Sequence, residues 1–143
     1  MIGKTIHELR IGQSAEFSKT LSESDIYQFA GITGDFNPAH VNQSYAENTY
    51  FKQRIAHGML SASLISTVIG MQLPGTGTIY VEQELKFLAP AFIGDTLTAR
   101  VEVSEIDVNK NRVRLITRCL NQNEKLIVDG TAMVSPVKRK VAD

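Results

Sequence analysis

The sequence predicts an α+β fold in which an antiparallel sheet of about five strands wraps around one long central helix. Only one segment, residues 58–72, combines helical length with apolar residues on nearly every side. Beyond it, the chain is a series of segments in which apolar and polar residues alternate, as in strands with one buried face. The breaks between these segments have the length of hairpin turns, so neighbouring strands are predicted to be antiparallel.

Length and composition indicate one globular domain over residues 1–143. The chain is 43% apolar and 21% charged, with 15 basic and 15 acidic side chains. This balance argues against nucleic acid as a partner, because nucleic-acid binders carry a basic excess. The single cysteine excludes an internal disulfide and a cysteine-based zinc site, and it fits a reducing compartment. We expect a cytoplasmic protein whose residues 138–143 form a frayed tail.

The longest segment without a charged side chain, residues 55–81, is not predicted to span a membrane. Pro74 and Gly75 end its helical part, which leaves about fifteen residues, or roughly 22 Å, against about 30 Å for a bilayer core. Residues 1–21 carry charges throughout and hold no apolar targeting segment. We therefore expect no membrane partner and a buried central helix.

The N-terminal third predicts a strand, a helix and a turn, in that order. Alternation across residues 13–21 indicates the strand. Ser22, with Asp25 three residues later, resembles a capping box and predicts a short helix. Residues 31–38 are predicted to end the helix and to form a turn, because the residue before Pro38 is pushed out of helical geometry. Ser44 with Glu47 predicts a second short helix.

The strands after the central helix are read from their alternating apolar positions, which are Ile79, Val81, Leu85 and Phe87; Leu97, Ala99, Val101 and Val103; Val113, Leu115, Thr117 and Cys119; and Leu126, Val128, Ala132 and Val134. Cys119 is expected to be a small buried thiol rather than a nucleophile, and His7 to be exposed. One helix covers only one face of a sheet, so we expect the other face or an edge to meet a second copy in a homodimer.

Two groups that can exchange protons flank the Asn37-Pro38 turn. Asp35 and His40 would not share a face of a helix, because residues five apart are rotated by about 140°. Pro38 rules out one continuous helix through both residues, and a turn can bring the carboxyl and the imidazole together as an acid/base pair. Asp and Asn before Pro are also ordinary turn formers, so spacing alone leaves a structural role open.

Gly58 lies where the central helix is predicted to begin. A helix N-terminus offers unpaired backbone N–H groups and the positive end of the helix dipole. Because glycine has no Cβ, a ligand can approach the chain closely there. These properties favour an oxyanion-binding site, and a helix cap or a packing gap is the structural alternative.

The segments Gly34-Asp35-Phe36-Asn37-Pro38-Ala39-His40 and Arg54-Ile55-Ala56-His57-Gly58-Met59-Leu60 resemble the signature of the MaoC-like (R)-specific enoyl-CoA hydratases, which have a hot-dog fold. The resemblance extends over nearly the whole chain. It departs at Gln53-Arg54, where the family often has Arg-Pro, and at Asn42-Gln43, where it often has Asp-Pro. These departures bear on loop shape and substrate range rather than on the reacting groups.

The resemblance implies reversible syn addition of water to a trans-2-enoyl-CoA, giving an (R)-3-hydroxyacyl-CoA, as in fatty acid metabolism. It implies that Asp35 and His40 are the catalytic pair, with His40 as base and Asp35 as proton donor, and that Asn37 orients them or the water. Gly58 would bind the thioester oxygen through its N–H, and Ser66 would lie near the pair unless it is a small packing residue. No metal and no cofactor beyond the substrate's coenzyme A is expected.

Three alternatives stay open at this point: a (3R)-hydroxyacyl-ACP dehydratase with the same pair, a hot-dog thioesterase, and a non-catalytic module that binds acyl thioesters. The acyl chain needs an apolar slot, for which the candidates are Ile65, Val68, Ile69 and Met71, with core packing as the alternative. The phosphates of coenzyme A would favour a basic rim, for which the candidates are Arg54 and the strand residues Arg112, Arg114 and Arg118, with a solvated face as the alternative.

Overall fold

A computed structural model describes residues 2–139. Its elements in chain order are a 3-10 helix (Ile6–Glu8), β1 (Ser14–Thr20), α1 (Glu23–Thr33), α2 (Pro38–Val41), α3 (Gln43–Ala46), α4 (Gly58–Met71), β2 (Ile79–Phe87), β3 (Thr96–Asp107), β4 (Arg112–Leu120) and β5 (Leu126–Ser135). The five strands form one antiparallel sheet in the order β1-β3-β4-β5-β2. The predicted α+β fold with the hot-dog arrangement is confirmed. Lys138 and Arg139 are exposed, and residues 140–143 of the predicted tail lie outside the described range.

The capping box predicted for the first helix is present. The Ser22 hydroxyl accepts a hydrogen bond from the Asp25 amide at 3.0 Å, and the Asp25 carboxylate accepts one from the Ser22 amide at 2.9 Å. Gly34 ends α1 in the left-handed region, with φ 83°. The second short helix starts at Gln43 rather than after Ser44, because the Asn42 side chain caps it by accepting from the Tyr45 amide.

The core lies between α4 and one face of the sheet. The predicted inward positions of β3 and β4 are fully buried, and they are Leu97, Ala99, Val101, Val103, Val113, Leu115, Thr117 and Cys119. Burial raises the pKa of the Cys119 thiol to about 12, so the thiol is protonated at neutral pH. This supports the expectation that Cys119 is a packing residue and not a nucleophile. His7 is exposed, as predicted.

The central helix is buried on one side only, which differs from the prediction that it is enclosed all round. Ile65, Val68 and Ile69 are at most 2% exposed. On the opposite side Met59 is 55% and Met71 is 71% exposed, and Ser66 is exposed between them. Ser63 and Ser66 therefore lie on an uncovered face, whereas Ser61 is buried. Within residues 2–139 no helix is long and apolar enough to cross a membrane.

Strand β2 is an edge of the sheet and carries uncovered apolar side chains. Ile79 is 64% and Val81 is 43% exposed, although both alternate along the chain like the core positions of the other strands. A register shift between Tyr80 and Glu82 interrupts the pairing of β2 with β5 at this point. Alternation identified the strand here, but it did not identify a buried face.

Gly130 on β5 is required by the close approach of β2, and we predict that Gly130→Ala destabilises the fold. An added Cβ would lie 1.9 Å from the Glu84 carbonyl oxygen, so the two strands would have to separate. We expect the free energy of unfolding to fall by about 1–3 kcal/mol in denaturant titrations at one fixed protein concentration. The control is Gly31→Ala in α1, where a Cβ would meet nothing within 4 Å. It should raise stability by about 0.5–1 kcal/mol, and equal effects of the two variants would contradict the explanation.

Candidate active site

The loop between α1 and α2 is shaped by its own side chains. The Asp35 carboxylate accepts a hydrogen bond from the Asn37 amide, and the Asn37 side-chain oxygen accepts one from the Ala39 amide, both at 3.1 Å. The Asp35 amide in turn donates to the Thr33 hydroxyl at 3.1 Å. These short-range bonds follow from Asp and Asn in a turn before proline. They hold the exposed Asp35 carboxylate one turn ahead of the buried His40.

His40 is fixed in one tautomer by the segment before α4. Its Nδ1 lies 2.8 Å from the Ile55 carbonyl oxygen. Because a carbonyl oxygen only accepts, Nδ1 carries the hydrogen and Nε2 of the neutral ring holds the free lone pair. The Ile55 amide also donates to the Ala39 carbonyl at 3.2 Å. The His40 ring is therefore oriented with Nε2 available to accept a proton.

His57 completes the cluster and was given no role by sequence reasoning. It is 2% exposed, and its ring stacks on the His40 ring with centroids 3.9 Å apart. Its Nε2 donates to the backbone carbonyl of Asp35 at 2.9 Å. One carboxylate oxygen of Asp35 and one ring nitrogen of each histidine all lie within 4.8 Å of one another. The sequence feature that could have identified His57 is its position directly before Gly58 in the His-Gly pair.

The same three side chains are of the types that ligate metals. Each imidazole uses one nitrogen as a donor to a backbone carbonyl, and its other nitrogen keeps a lone pair, as in histidines that ligate metals and in those that accept protons. Asp35 also accepts a bond from its own turn. The observed bonds suit a pair that exchanges protons, and the expectation that no metal is needed stays a prediction.

Gly58 is the first residue of α4 and lies at the wall of a cavity of about 530 Å³. The cavity is mainly apolar, and its larger lining side chains are Phe51, Ile55, Met59, Phe87, Leu88 and Ile127. An ideal Cβ on Gly58 would lie 2.8 Å from the Phe87 ring, so the aromatic side chain packs directly on the glycine. Ile55 joins the cavity to the histidines, because its side chain lines the cavity and its carbonyl holds His40.

Core packing, the alternative to an acyl slot on α4, is confirmed for three of its four candidate residues. Ile65, Val68 and Ile69 pack into the core, and none of them lines the cavity. Met71 lies exposed at the far end of the helix. The cavity is lined instead by residues from 51–59, which include the start of α4, from 87–91 and from 127–128. Apolar periodicity identifies a helix face that avoids water, and it does not distinguish a core from a ligand site.

The side chains of two further predicted site residues make no hydrogen bond to the side chains of Asp35 or His40 within residues 2–139. The Asn37 side chain caps α2, so its observed partner is the Ala39 amide. Ser66 is exposed on α4, two turns beyond Gly58, and is not part of the cavity lining. Their roles toward water or the pair stay predictions.

Within residues 2–139, none of the arginines predicted to form a basic rim lines the cavity. The β4 arginines lie opposite the core-facing residues of their strand, where Arg114 pairs with Glu105 at 3.5 Å and Arg118 pairs with Asp129 at 3.2 Å. Arg54 donates to Glu23 at 3.1 Å and to the Tyr27 hydroxyl at 2.7 Å. The Tyr27 hydroxyl, followed by Arg54, lowers the pKa of the Glu23 carboxyl. Arg54 therefore joins α1 to the segment before α4.

Comparison with known proteins places this geometry in a family. The model of the MaoC like domain matches residues 7–124. The (R)-specific enoyl-CoA hydratase of Rhodospirillum rubrum is 54% identical over 89% of this chain and 88% of its own length. The 3-hydroxybutyryl-CoA dehydratase of Methylorubrum extorquens is 42% identical over 95% of this chain and 86% of its own.

The fold of this chain also agrees with that of a solved structure. The unliganded R-hydratase PhaJ1 of Pseudomonas aeruginosa superposes with a TM-score of 0.91 at 44% identity, over 99% of this chain and 93% of that chain. Sequence and backbone agree over nearly the whole length, including the Asp35–His40 turn and the start of α4. The chain belongs to the MaoC-like domain family and shares its hot-dog fold with the R-hydratases.

Proposed function

We propose that this protein is an (R)-specific enoyl-CoA hydratase, a hydro-lyase that adds water reversibly to trans-2-enoyl-CoA. The observation that carries the proposal is the convergence of Asp35 and His40 within 4.8 Å, next to a helix N-terminus that borders an apolar cavity. Hydration of an α,β-unsaturated thioester requires a base, an acid and an oxyanion donor. Gly58 lines the cavity, and His40 is joined to the cavity wall through Ile55. The activities of the relatives, a hydratase and a dehydratase, support the same reaction and its reverse.

The two side chains divide the proton transfers. The water oxygen bonds to the β-carbon of the enoyl thioester while one water proton passes to Nε2 of His40, the nitrogen left free by the Ile55 carbonyl. A proton on the Asp35 carboxyl passes to the α-carbon. Transfer of a proton from His40 back to Asp35 then restores the pair, and no net proton is gained or lost. Both groups act from the same side of the substrate, which gives syn addition.

Negative charge moves to the thioester oxygen as the water oxygen attacks. The Gly58 amide at the start of α4 is the donor that we assign to this oxygen, with the positive end of the helix dipole behind it. A donor of this kind typically contributes about 3–4 kcal/mol to the transition state. The Phe87 ring packs on Gly58 and gives this end of the cavity an apolar wall.

A (3R)-hydroxyacyl-ACP dehydratase is the alternative that shares this machinery, because the reacting groups are the same and only the thioester carrier differs. Rates with coenzyme A and carrier-protein thioesters of one acyl chain would separate the two. The thioesterase would release free thiol, and the non-catalytic module would bind acyl-CoA without turnover. The non-catalytic module would leave the oriented Nε2 of His40 without a use.

A homodimer and a cytoplasmic location also form part of the proposal. The uncovered apolar side chains of β2, Ile79 and Val81, lie on an unpaired sheet edge. Such an edge is normally covered or paired with another chain. The exposed Met71 on α4 adds a second uncovered apolar group. Pairing of two β2 edges around a two-fold axis would cover these groups. The cytoplasmic location stays a prediction.

Hydration of crotonyl-CoA is the direct test of the function. The wild-type protein should abolish the enoyl absorbance and give (R)-3-hydroxybutyryl-CoA in a chiral product assay. Asp35→Asn and His40→Gln should each lower kcat by about 10²–10⁴-fold, because each removes one proton-transfer group. His7→Gln, at an exposed histidine, is the control and should leave kcat unchanged. An (S) product, or full activity in either active-site variant, would contradict the proposed function.

The oxyanion role of Gly58 can be tested by removing only its N–H. Proline is tolerated at the first position of a helix, and the His57 backbone, with ψ 133°, already has the conformation that precedes proline. Gly58→Pro should lower kcat about 10²–10³-fold relative to Gly58→Ala. The alanine variant keeps the N–H and is the control for the contact with Phe87. Equal kcat values in the two variants would show that the amide does not act on the substrate.

If two copies pair through their β2 edges, a charged side chain introduced on β2 should lower the mass of the particle in solution. Val81→Lys should convert a dimer to a monomer in sedimentation velocity experiments, since a lysine on an edge strand opposes pairing. Lys86→Arg on the same strand keeps its charge and should leave the dimer intact. A wild-type protein that sediments as a monomer at micromolar concentration would refute the proposal.

A further inference from the structure

We propose that His57 is a positioning residue, which holds Asp35 and His40 in register for proton transfer through one hydrogen bond and one ring contact. The inference rests on the proposed hydratase function and adds a residue to it. His57 touches both members of the pair: Nε2 donates to the Asp35 carbonyl at 2.9 Å, and the ring lies on the His40 ring with centroids 3.9 Å apart.

A role in helix stability does not explain a histidine at this position. His57 is the N-cap residue of α4, and its side chain makes no hydrogen bond to the helix. Ser, Thr, Asp and Asn are the residues that stabilise a helix N-terminus. The ring instead turns back toward the loop that carries Asp35. The position therefore lacks a side-chain cap, and the imidazole bonds to another part of the chain.

The second ring nitrogen supports the same conclusion. Nδ1 of His57 is buried and has no hydrogen-bond partner within the described residues. A buried polar atom without a partner is unfavourable for folding. A leucine or phenylalanine would fill the space beside Phe29, whose ring centroid is 4.9 Å from that of His57, without this cost. What these apolar residues could not supply is the N–H for the Asp35 carbonyl.

The geometry explains how this bond acts on the reaction. Asp35 is exposed, and its carboxylate is fixed mainly by the turn that carries it. His40 is fixed from the opposite side by the Ile55 carbonyl. His57 is the element that ties the Asp35 peptide to the segment that also holds His40 and begins α4. A displacement of about 1 Å between reacting groups can cost about 100-fold in rate.

The test compares His57→Gln with His57→Met, two side chains of similar size of which only glutamine carries an N–H donor. We expect His57→Met to lower kcat for crotonyl-CoA about 100-fold with KM changed by less than about threefold. His57→Gln should retain kcat within about tenfold of the wild type, because the donor to Asp35 is kept. His7→Phe is the control for loss of an imidazole at an exposed site and should leave kcat unchanged.

A second readout does not depend on activity. The Asn37 amide donates to the Asp35 carboxylate, so its hydrogen exchange should be faster in His57→Met than in His57→Gln. If the wild type hydrates no enoyl thioester, the proposed function fails while this exchange difference still tests the positioning role. If His57→Met does not fold, His57→Phe, which keeps a ring but no donor, replaces it. Equal kcat and equal Asn37 exchange in the glutamine variant and the donor-free variant would overturn the inference.

Discussion

Two imidazole-to-carbonyl hydrogen bonds, running in opposite directions, hold the active site together. His40 on α2 donates to the Ile55 carbonyl, and His57 at the start of α4 donates to the Asp35 carbonyl. Each bond joins the Asp35–His40 turn to the segment that leads into the central helix. Because both acceptors are backbone carbonyls, the bonds also fix which nitrogen of each ring carries the hydrogen. The chemistry of the pair therefore depends on a connection between two loops rather than on either loop alone.

The central helix serves the fold and the site with different parts of its length. Its middle, from Ile65 to Ile69, fills the core against the sheet. Its first residue, Gly58, lines the apolar cavity, where the absence of a Cβ leaves room for the Phe87 ring. A helix packed this firmly against β3 and β4 cannot rotate without opening the core. The position of the Gly58 amide, the proposed oxyanion donor, is thus set by packing several residues away from it.

The charged side chains near the site stabilise the fold and do not line the cavity. Arg54, a basic residue near the pair in sequence, is occupied by Glu23 and Tyr27 and joins α1 to the segment before α4. The β4 arginines form ion pairs on the outer face of the sheet. The cavity itself is lined mainly by apolar side chains. In the proposed hydratase, recognition of the acyl part therefore rests on shape and apolar contact, and the polar chemistry on three side chains and one amide.

The sequence was enough to predict the strands, the capped first helix, the Asp35–His40 turn and the glycine at the start of α4, because each depends on a local feature: alternation, a capping box, a proline or a missing Cβ. It could not determine which apolar residues face a ligand. Ile65 and Phe87 are equally hydrophobic on paper, yet one is in the core and the other lines the cavity. Nor could it show the role of His57, whose partners lie 17 and 22 residues away along the chain. Contacts between distant segments are decided by packing of the whole chain, and a local pattern carries no record of them.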